Sequence, residues 1–221
     1  MAAGQGQLDA GPVPLVTWFA LEGCYQPLGD YCIATGERAR SIFMFSNRPI
    51  EALGGSVIGV TGETSTSVLL LKVLLAHRFQ VEPRKYGTLG EFSDAFLLIG
   101  DEALRNRKGV LPYPYRYDLG EEWHRWTGLP FVFARWAVRR GLEPEIVERL
   151  SNQLNSSIDK GLADVDTIAK NRRDLGMSQD EVTEYVLSFN YHLGEKEYRS
   201  IELFRSFLDR GIKGGSESPM A

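Results

Sequence analysis

Metal chemistry is the first thing this sequence has little material for. Two cysteines, Cys24 and Cys32, and three histidines, His77, His124 and His192, are scattered over 221 residues. The cysteines lack CxxC spacing and no HExxH occurs, so no metal is expected. A Cys24–Cys32 disulfide is geometrically possible, but two reduced thiols are the expectation. The nucleotide-binding and hydrolase signatures GxGxxG, the P-loop and GxSxG are also missing. No motif for a bound cofactor is read. Basic clusters are absent too: the formal net charge is −4 and the lysines and arginines form no stripe, which argues against a nucleic-acid partner. No uncharged apolar run approaches the roughly 18 residues of a membrane span. The opening MAAGQGQLDAGPVPL has neither a basic start nor a long apolar core, so no secretory signal is read there and a cytoplasmic location is expected. The small, polar ending GGSESPMA, with residues 213–221, is expected to be disordered.

What is present is the balance of a soluble globular protein, 43% hydrophobic and 24% charged, in a chain long enough for one two-lobed unit. The first two thirds alternate short strand-like runs with helical patterns, which predicts an α/β fold. Strands are expected at 12–16, 31–34, 41–45, 56–60, 95–99 and 131–137, and helices at 48–53, 64–78 and 101–107. Residues 68–75 are apolar apart from Lys72, the pattern of a helix buried nearly all round. From Leu142 onward only helices are expected. Pro144 suits a first helical turn, SQDE at 178–181 reads as a capping box, and Gly211 suits a helix end. The strand patterns RSIFMFS at 40–46 and PFVFARW at 130–136 flank a compact α/β block. They suggest crossovers between two lobes: 1–40 with 137–212, and 41–136. In such a fold the ligand is expected in the cleft between lobes, at the carboxyl ends of the strands.

Three stretches carry candidate chemistry. In IGVTGETSTSVLLLKVLLA, residues 58–76, a strand and a glycine turn lead to four consecutive hydroxyl residues, Thr64 to Ser67, at a helix start. One hydroxyl suffices as a cap, here Thr64. The surplus is either solvated filler or a site for a carboxylate or phosphate, since unpaired amides and the helix dipole favour negative charge there. Glu63 would compete for the same dipole. In SDAFLLIGDEAL, residues 93–104, Gly100 and Asp101 follow a buried strand; Asp101 either caps the next helix or faces a ligand as acceptor or base. In the third stretch, residues 115–136, Trp123, Trp126, Trp136, Tyr115 and Tyr117 form either a packing cluster or an aromatic wall for a flat ring. Arg38, Arg40, Arg116 and Arg135 are candidate partners for an anionic substrate, because guanidinium pairs bidentately with carboxylate. Arg40 is preferred, with Ser41 beside it as a donor.

Taken together, LDAGPVPL (8–15), RSIFMFSNRPIEALGG (40–55), GVTGETSTSVLLLKVLL (59–75), SDAFLLIGDEAL (93–104) and YDLGEEWHRWTGLPFVFARWAVRR (117–140) resemble the menaquinone-biosynthesis family of the futalosine pathway. The resemblance runs from about residue 8 to 210. It implies a periplasmic-binding-protein-like (type II) fold of two α/β lobes with a helical C-terminal part. Of the family's two branches, the one forming 1,4-dihydroxy-6-naphthoate carries a histidine where this chain has Gly100. IGDEAL and RSIFMFS look like the branch that dehydrates chorismate, a dicarboxylate, to 3-[(1-carboxyvinyl)oxy]benzoate. On that reading Asp101 is the catalytic candidate, and Arg40, Ser41, Ser65, Thr66, Ser67 and Gly100 bind substrate. A non-catalytic small-carboxylate-binding protein of the same fold and the 1,4-dihydroxy-6-naphthoate synthase are the alternatives. Family members begin with a strand–helix unit carrying an asparagine motif of the type YLN. Here LDAGPVPL begins at residue 8, so that first unit is expected to be missing.

Overall fold

IFMFS is apolar in four of its five positions and is buried throughout, which only a central strand permits. In the computed structural model it forms β3 (Ile42–Ser46), an interior strand of a five-stranded sheet. The structure describes residues 8–61, 65–90, 92–172 and 175–211. The expected tail at 213–221, the Thr64 cap and Glu63 lie outside them. The described chain falls into two compact units, the first running to Arg38 and again from Leu129 to Ile201, the second from Ala39 to Gly128 and again from Glu202 on.

The first unit holds a four-stranded antiparallel sheet of order β1 (Ala10–Pro14), β8 (Phe131–Arg139), β2 (Tyr25–Thr35), β9 (Phe189–His192). Between β1 and β2 lies α1 (Leu15–Leu21), which buries Leu15 and Trp18 one turn apart. The expected strand at 12–16 is thus corrected: Leu15 and Val16 already belong to a helix. The expectation of helices alone after Leu142 is corrected as well, because β9 pairs with β2. Its four residues FNYH alternate half-buried rings with exposed polar groups, a period-2 signal too brief to stand out in a helical context. The helices are α5 (Pro144–Ala163), α6 (Val165–Asn171) and α7 (Gln179–Leu187). Pro144 opens α5, and Ser178 and Glu181 form the predicted capping box of α7. Val147, Leu150, Leu154 and Ile158, at helical spacing on α5, pack against Leu28, Tyr31 and Val138 of the sheet.

The second unit orders its strands β5 (Lys85–Thr88), β4 (Val57–Val60), β6 (Ala95–Ile99), β3, β7 (Tyr115–Asp118). Strands β4, β5 and β6 are parallel, β3 is antiparallel to β6, and β7 is antiparallel to β3. The carboxyl ends of β4, β5, β6 and β7 therefore share one edge with the amino end of β3. The described residues of the link from β5 to β6 form no helix, and Ser93 in that link comes close to β4 at Gly59, where a Cβ would lie 3.3 Å from Ser93 Oγ and from Phe96 Cβ. Helix α2 (Ser65–Val73) continues as a π-helical turn over Leu74–Arg78, and five of its apolar side chains from Leu70 to Leu75 are fully buried. The short α3 (Asp101–Arg105) follows β6, and α4 (Leu119–Thr127) follows β7. The last helix, α8 (Glu195–Asp209), begins in the first unit and from Glu202 belongs to the second, with Gly211 beyond it at positive φ.

At the opposite, amino-terminal edge of this sheet, Asp94 joins three segments. Its carboxylate accepts the Val57 amide at 3.0 Å and an Arg48 Nη2 hydrogen at 2.9 Å. The Val57 amide, foremost, and then the Asn47 amide and Arg48 hold its pKa below the ordinary value of 3.8. A depressed carboxyl pKa contributes stability that is present above the ordinary value and is lost as pH falls through the folded-state value. Urea midpoints measured at pH 7 and pH 3 should therefore differ more in the wild type than in Asp94→Asn. Equal pH dependence in both would remove Asp94 from the acid response.

Candidate functional site

The carboxyl edge of the second unit's sheet collects the residues that the resemblance assigns to substrate and catalysis. Arg40 and Ser41 immediately precede β3; Gly100 and Asp101 follow β6, its neighbour. The two segments are joined directly, since the Gly100 amide donates to the Ser41 carbonyl at 2.8 Å. One strand further along, β4 leads into α2, which opens at Ser65. Thr66 and Ser67 lie in its first turn and are buried. A buried hydroxyl needs a hydrogen-bond partner, so these are not solvated filler.

Gly100 is the N-cap of α3 at φ 62°, ψ −135°, a backbone conformation that side chains other than glycine's resist. Asp101 is consequently the first helical residue and not the cap. Its carboxylate lies 3.8 Å from Arg105 one turn on and is 55% exposed, a loose surface pair beside the positive end of the helix. Ser41 is buried and its hydroxyl donates to the Ala39 carbonyl at 3.3 Å.

Arg40 has φ 60°, in the left-handed region. For a residue with a Cβ that conformation costs about 1–2 kcal/mol. The compensation comes from Asp118, at the end of β7, whose carboxylate accepts the amides of Ala39 at 2.9 Å and Arg40 at 2.6 Å. The same carboxylate caps α4 by accepting the amides of Gly120 at 2.9 Å and Glu121 at 3.1 Å. Burial raises the Asp118 pKa above the ordinary carboxylate value, and the four amides oppose that shift. Sequence reasoning missed this residue. The cap itself was legible in DLGE, which has the D-x-x-E form of a helix start. The other two partners, nearly 80 positions away in the chain, left no trace.

The remaining candidates stand elsewhere. Arg116 on β7 lies over the Phe43 ring at 5.1 Å from its centroid. In the first unit, the Arg135 guanidinium lies 5.5 Å from the Trp18 ring and 5.7 Å from that of Tyr198, and Arg38 is that unit's last residue before the second begins. Trp123 is fully buried and meets Trp126, Phe204 and Phe207 edge to face, the packing reading of the aromatic stretch. Both cysteines are free, Cys24 exposed and Cys32 buried. Burial and the nearby Glu197 push the Cys32 thiol up to about 12, which leaves it protonated and unreactive at neutral pH. Among the described residues no group of three or more His, Cys, Asp or Glu side chains could hold a metal ion, and no helix is long and apolar enough to cross a membrane.

The edge thus offers a helix start with hydroxyls, an arginine in a fixed backbone conformation and a carboxylate at a second helix start. Such a set can hold an anion and place a carboxylate beside it. Comparison with known proteins gives the family and the fold. The sequence model described as menaquinone biosynthesis matches residues 1–210. The chain is 32% identical over 203 residues to the chorismate dehydratase of Thermus thermophilus, covering 82% of this chain and 72% of that one. Among solved structures it is similar to protein AF1704 of Archaeoglobus fulgidus, with a TM-score of 0.73, 19% identity, and 94% of this chain matched to 81% of that one. It is also similar to the periplasmic aliphatic sulphonate binding protein SsuA of Escherichia coli, with a TM-score of 0.54, 14% identity, and 96% of this chain matched to 78% of the other. The fold is that of the periplasmic-binding-protein-like (type II) proteins, α/β with a helical C-terminal part, as the sequence led us to expect.

Proposed function

Because the chain belongs to the menaquinone-biosynthesis family, we propose that it is a chorismate dehydratase, a carbon–oxygen lyase of the futalosine pathway acting in the cytoplasm. It would convert chorismate to 3-[(1-carboxyvinyl)oxy]benzoate and water. The observation that carries this reading is the 32% identity to a chorismate dehydratase across 82% of the chain. The reaction removes one ring proton and the ring hydroxyl, breaking one C–H and one C–O bond and leaving an aromatic ring. Aromatisation supplies the driving force, and the balance requires no oxidant, reductant or cofactor. What the protein must provide is orientation of a dicarboxylate, help to departing hydroxide, and a proton acceptor.

The residues of the carboxyl edge suit those tasks. Arg40, Ser41, Ser65, Thr66, Ser67 and Gly100 are assigned to substrate binding. Asp101 is assigned to proton removal or to orienting the ring, with the substrate's own enolpyruvyl carboxylate as the competing base. Incubation with chorismate, followed by detection of the carboxyvinyloxybenzoate, tests the reaction. A chain that binds chorismate tightly without turnover would favour the alternative, a carboxylate-binding protein of the same fold. The combined variant Thr66→Ala, Ser67→Ala tests the helix start. A hydrogen bond to a charged group is worth about 1.5–3 kcal/mol, so chorismate affinity should fall by roughly ten- to a hundredfold for each of the two bonds lost. Unchanged affinity in a folded variant would return both hydroxyls to local packing.

A further inference from the structure

A single carboxylate accepts both amides of the turn from which Arg40 projects. The Ala39 and Arg40 amides both converge on Asp118, at 2.9 and 2.6 Å. They come from the first two residues of the second unit, just ahead of β3. A carboxylate needs only its own helix to act as a cap, and Asp118 already serves α4 through Gly120 and Glu121. The additional pair of bonds stabilises the left-handed turn at Arg40. A left-handed residue without glycine persists only when its surroundings over-determine it. Ser41, the next residue, is held from another strand: its carbonyl accepts the Gly100 amide at 2.8 Å.

We infer that Asp118 is the positioning residue of this site: by binding the Ala39 and Arg40 amides it holds Arg40 in the left-handed conformation and so sets where its guanidinium meets a substrate carboxylate. The inference rests on the chorismate reading for the identity of that carboxylate. It assigns Asp118 no contact with substrate. Asp118 acts through Arg40, so its effect on affinity should exist only while the guanidinium is there.

A double-mutant cycle reads that dependence. Asp118→Asn keeps the size of the side chain but turns part of it into a donor facing amide donors. Alone it should raise KM for chorismate roughly tenfold, with a smaller change in kcat. Arg40→Ala alone should raise KM by at least as much. In the Arg40→Ala background, adding Asp118→Asn should change KM by less than about twofold, although it will still lower thermal stability. Additive effects on KM, in variants shown by circular dichroism to be folded, would overturn the inference and leave Asp118 a purely structural cap. Asp118→Glu, which keeps the charge at a longer reach, should recover part of the KM where Asn does not; equal loss in both also counts against it. Running the cycle on binding as well, with chorismate and with benzene-1,3-dicarboxylate as probes, separates the two readings. Binding without turnover, with non-additive affinities, would sink the dehydratase and keep Asp118 in place. Turnover with additive KM effects would do the reverse, and a folded chain that binds neither anion would overturn both.

Discussion

Trp123→Ala is expected to destabilise the second unit by about 3–5 kcal/mol, the largest stability effect of any single change considered for this chain. The indole has no exposed surface and lies on α4, where it meets Trp126 and Phe204 edge to face with ring centroids 5.9 Å apart and Phe207 at 6.3 Å. Phe204 and Phe207 both lie on the part of α8 that belongs to this unit. Truncation would remove the transfer energy of a whole indole and leave a cavity lined by rigid rings that cannot close over it. The loss also reaches three edge-to-face contacts, each worth about 0.5–1.5 kcal/mol beyond buried area. Urea denaturation followed by fluorescence of the remaining tryptophans measures the loss. Trp123→Phe, expected to fold, separates packing from ligand recognition: its KM for chorismate should match the wild type. A Phe variant of normal stability with a much weakened KM would restore the aromatic-wall reading and remove Trp123 from the list of purely structural residues.

The architecture was legible where the sequence pattern and the environment had the same period. AFLLI, apolar at every position, is β6 with the bounds expected, and IFMFS is displaced by a single residue. These strands are covered on both faces, so burial leaves an unbroken apolar run. The helix 64–78 was also legible, although from Leu74 it widens into a π turn, which the composition LLAHR does not announce. The missed strands share a cause. KYGT and YRYD lie at the two borders of the second sheet as β5 and β7, and FNYH borders the first as β9. A border strand needs one apolar face or less, and over four residues that yields no periodic signal.

The candidate site shows the same division. Candidate residues could be named from sequence because each stands at the end of a recognisable strand: Arg40 and Ser41 before β3, Gly100 and Asp101 after β6. What could not be named was the residue that accepts the Ala39 and Arg40 amides. Asp118 is set against Ala39 and Arg40 by the pairing of β3 with β7, in which Phe43 faces Asp118. Register of that kind is decided in three dimensions, and in the linear sequence Asp118 advertises only its cap.

Asp101→Asn is the variant with the largest expected effect on catalysis: a fall in kcat of about 10²-fold, the lower end of what a positioned proton-transfer group contributes, with KM little changed. The substitution keeps shape and removes charge. Its structural cost should be small, because Gly100 occupies the cap position and the pair with Arg105, at 3.8 Å with both partners about half exposed, is a weak one. The change does remove a carboxylate from the first turn of α3, where the dipole favours it by about 0.3–1 kcal/mol, and thermal melting would register a loss of that order. Steady-state kinetics with chorismate therefore distinguish three roles. A drop in kcat at constant KM and near-constant melting temperature places the carboxylate in the chemical step. A rise in KM alone makes it a group that orients substrate before reaction. Wild-type kcat and KM would assign proton removal to the enolpyruvyl carboxylate of chorismate itself, and Asp101 would then serve only the start of α3, through the helix dipole and its pairing with Arg105.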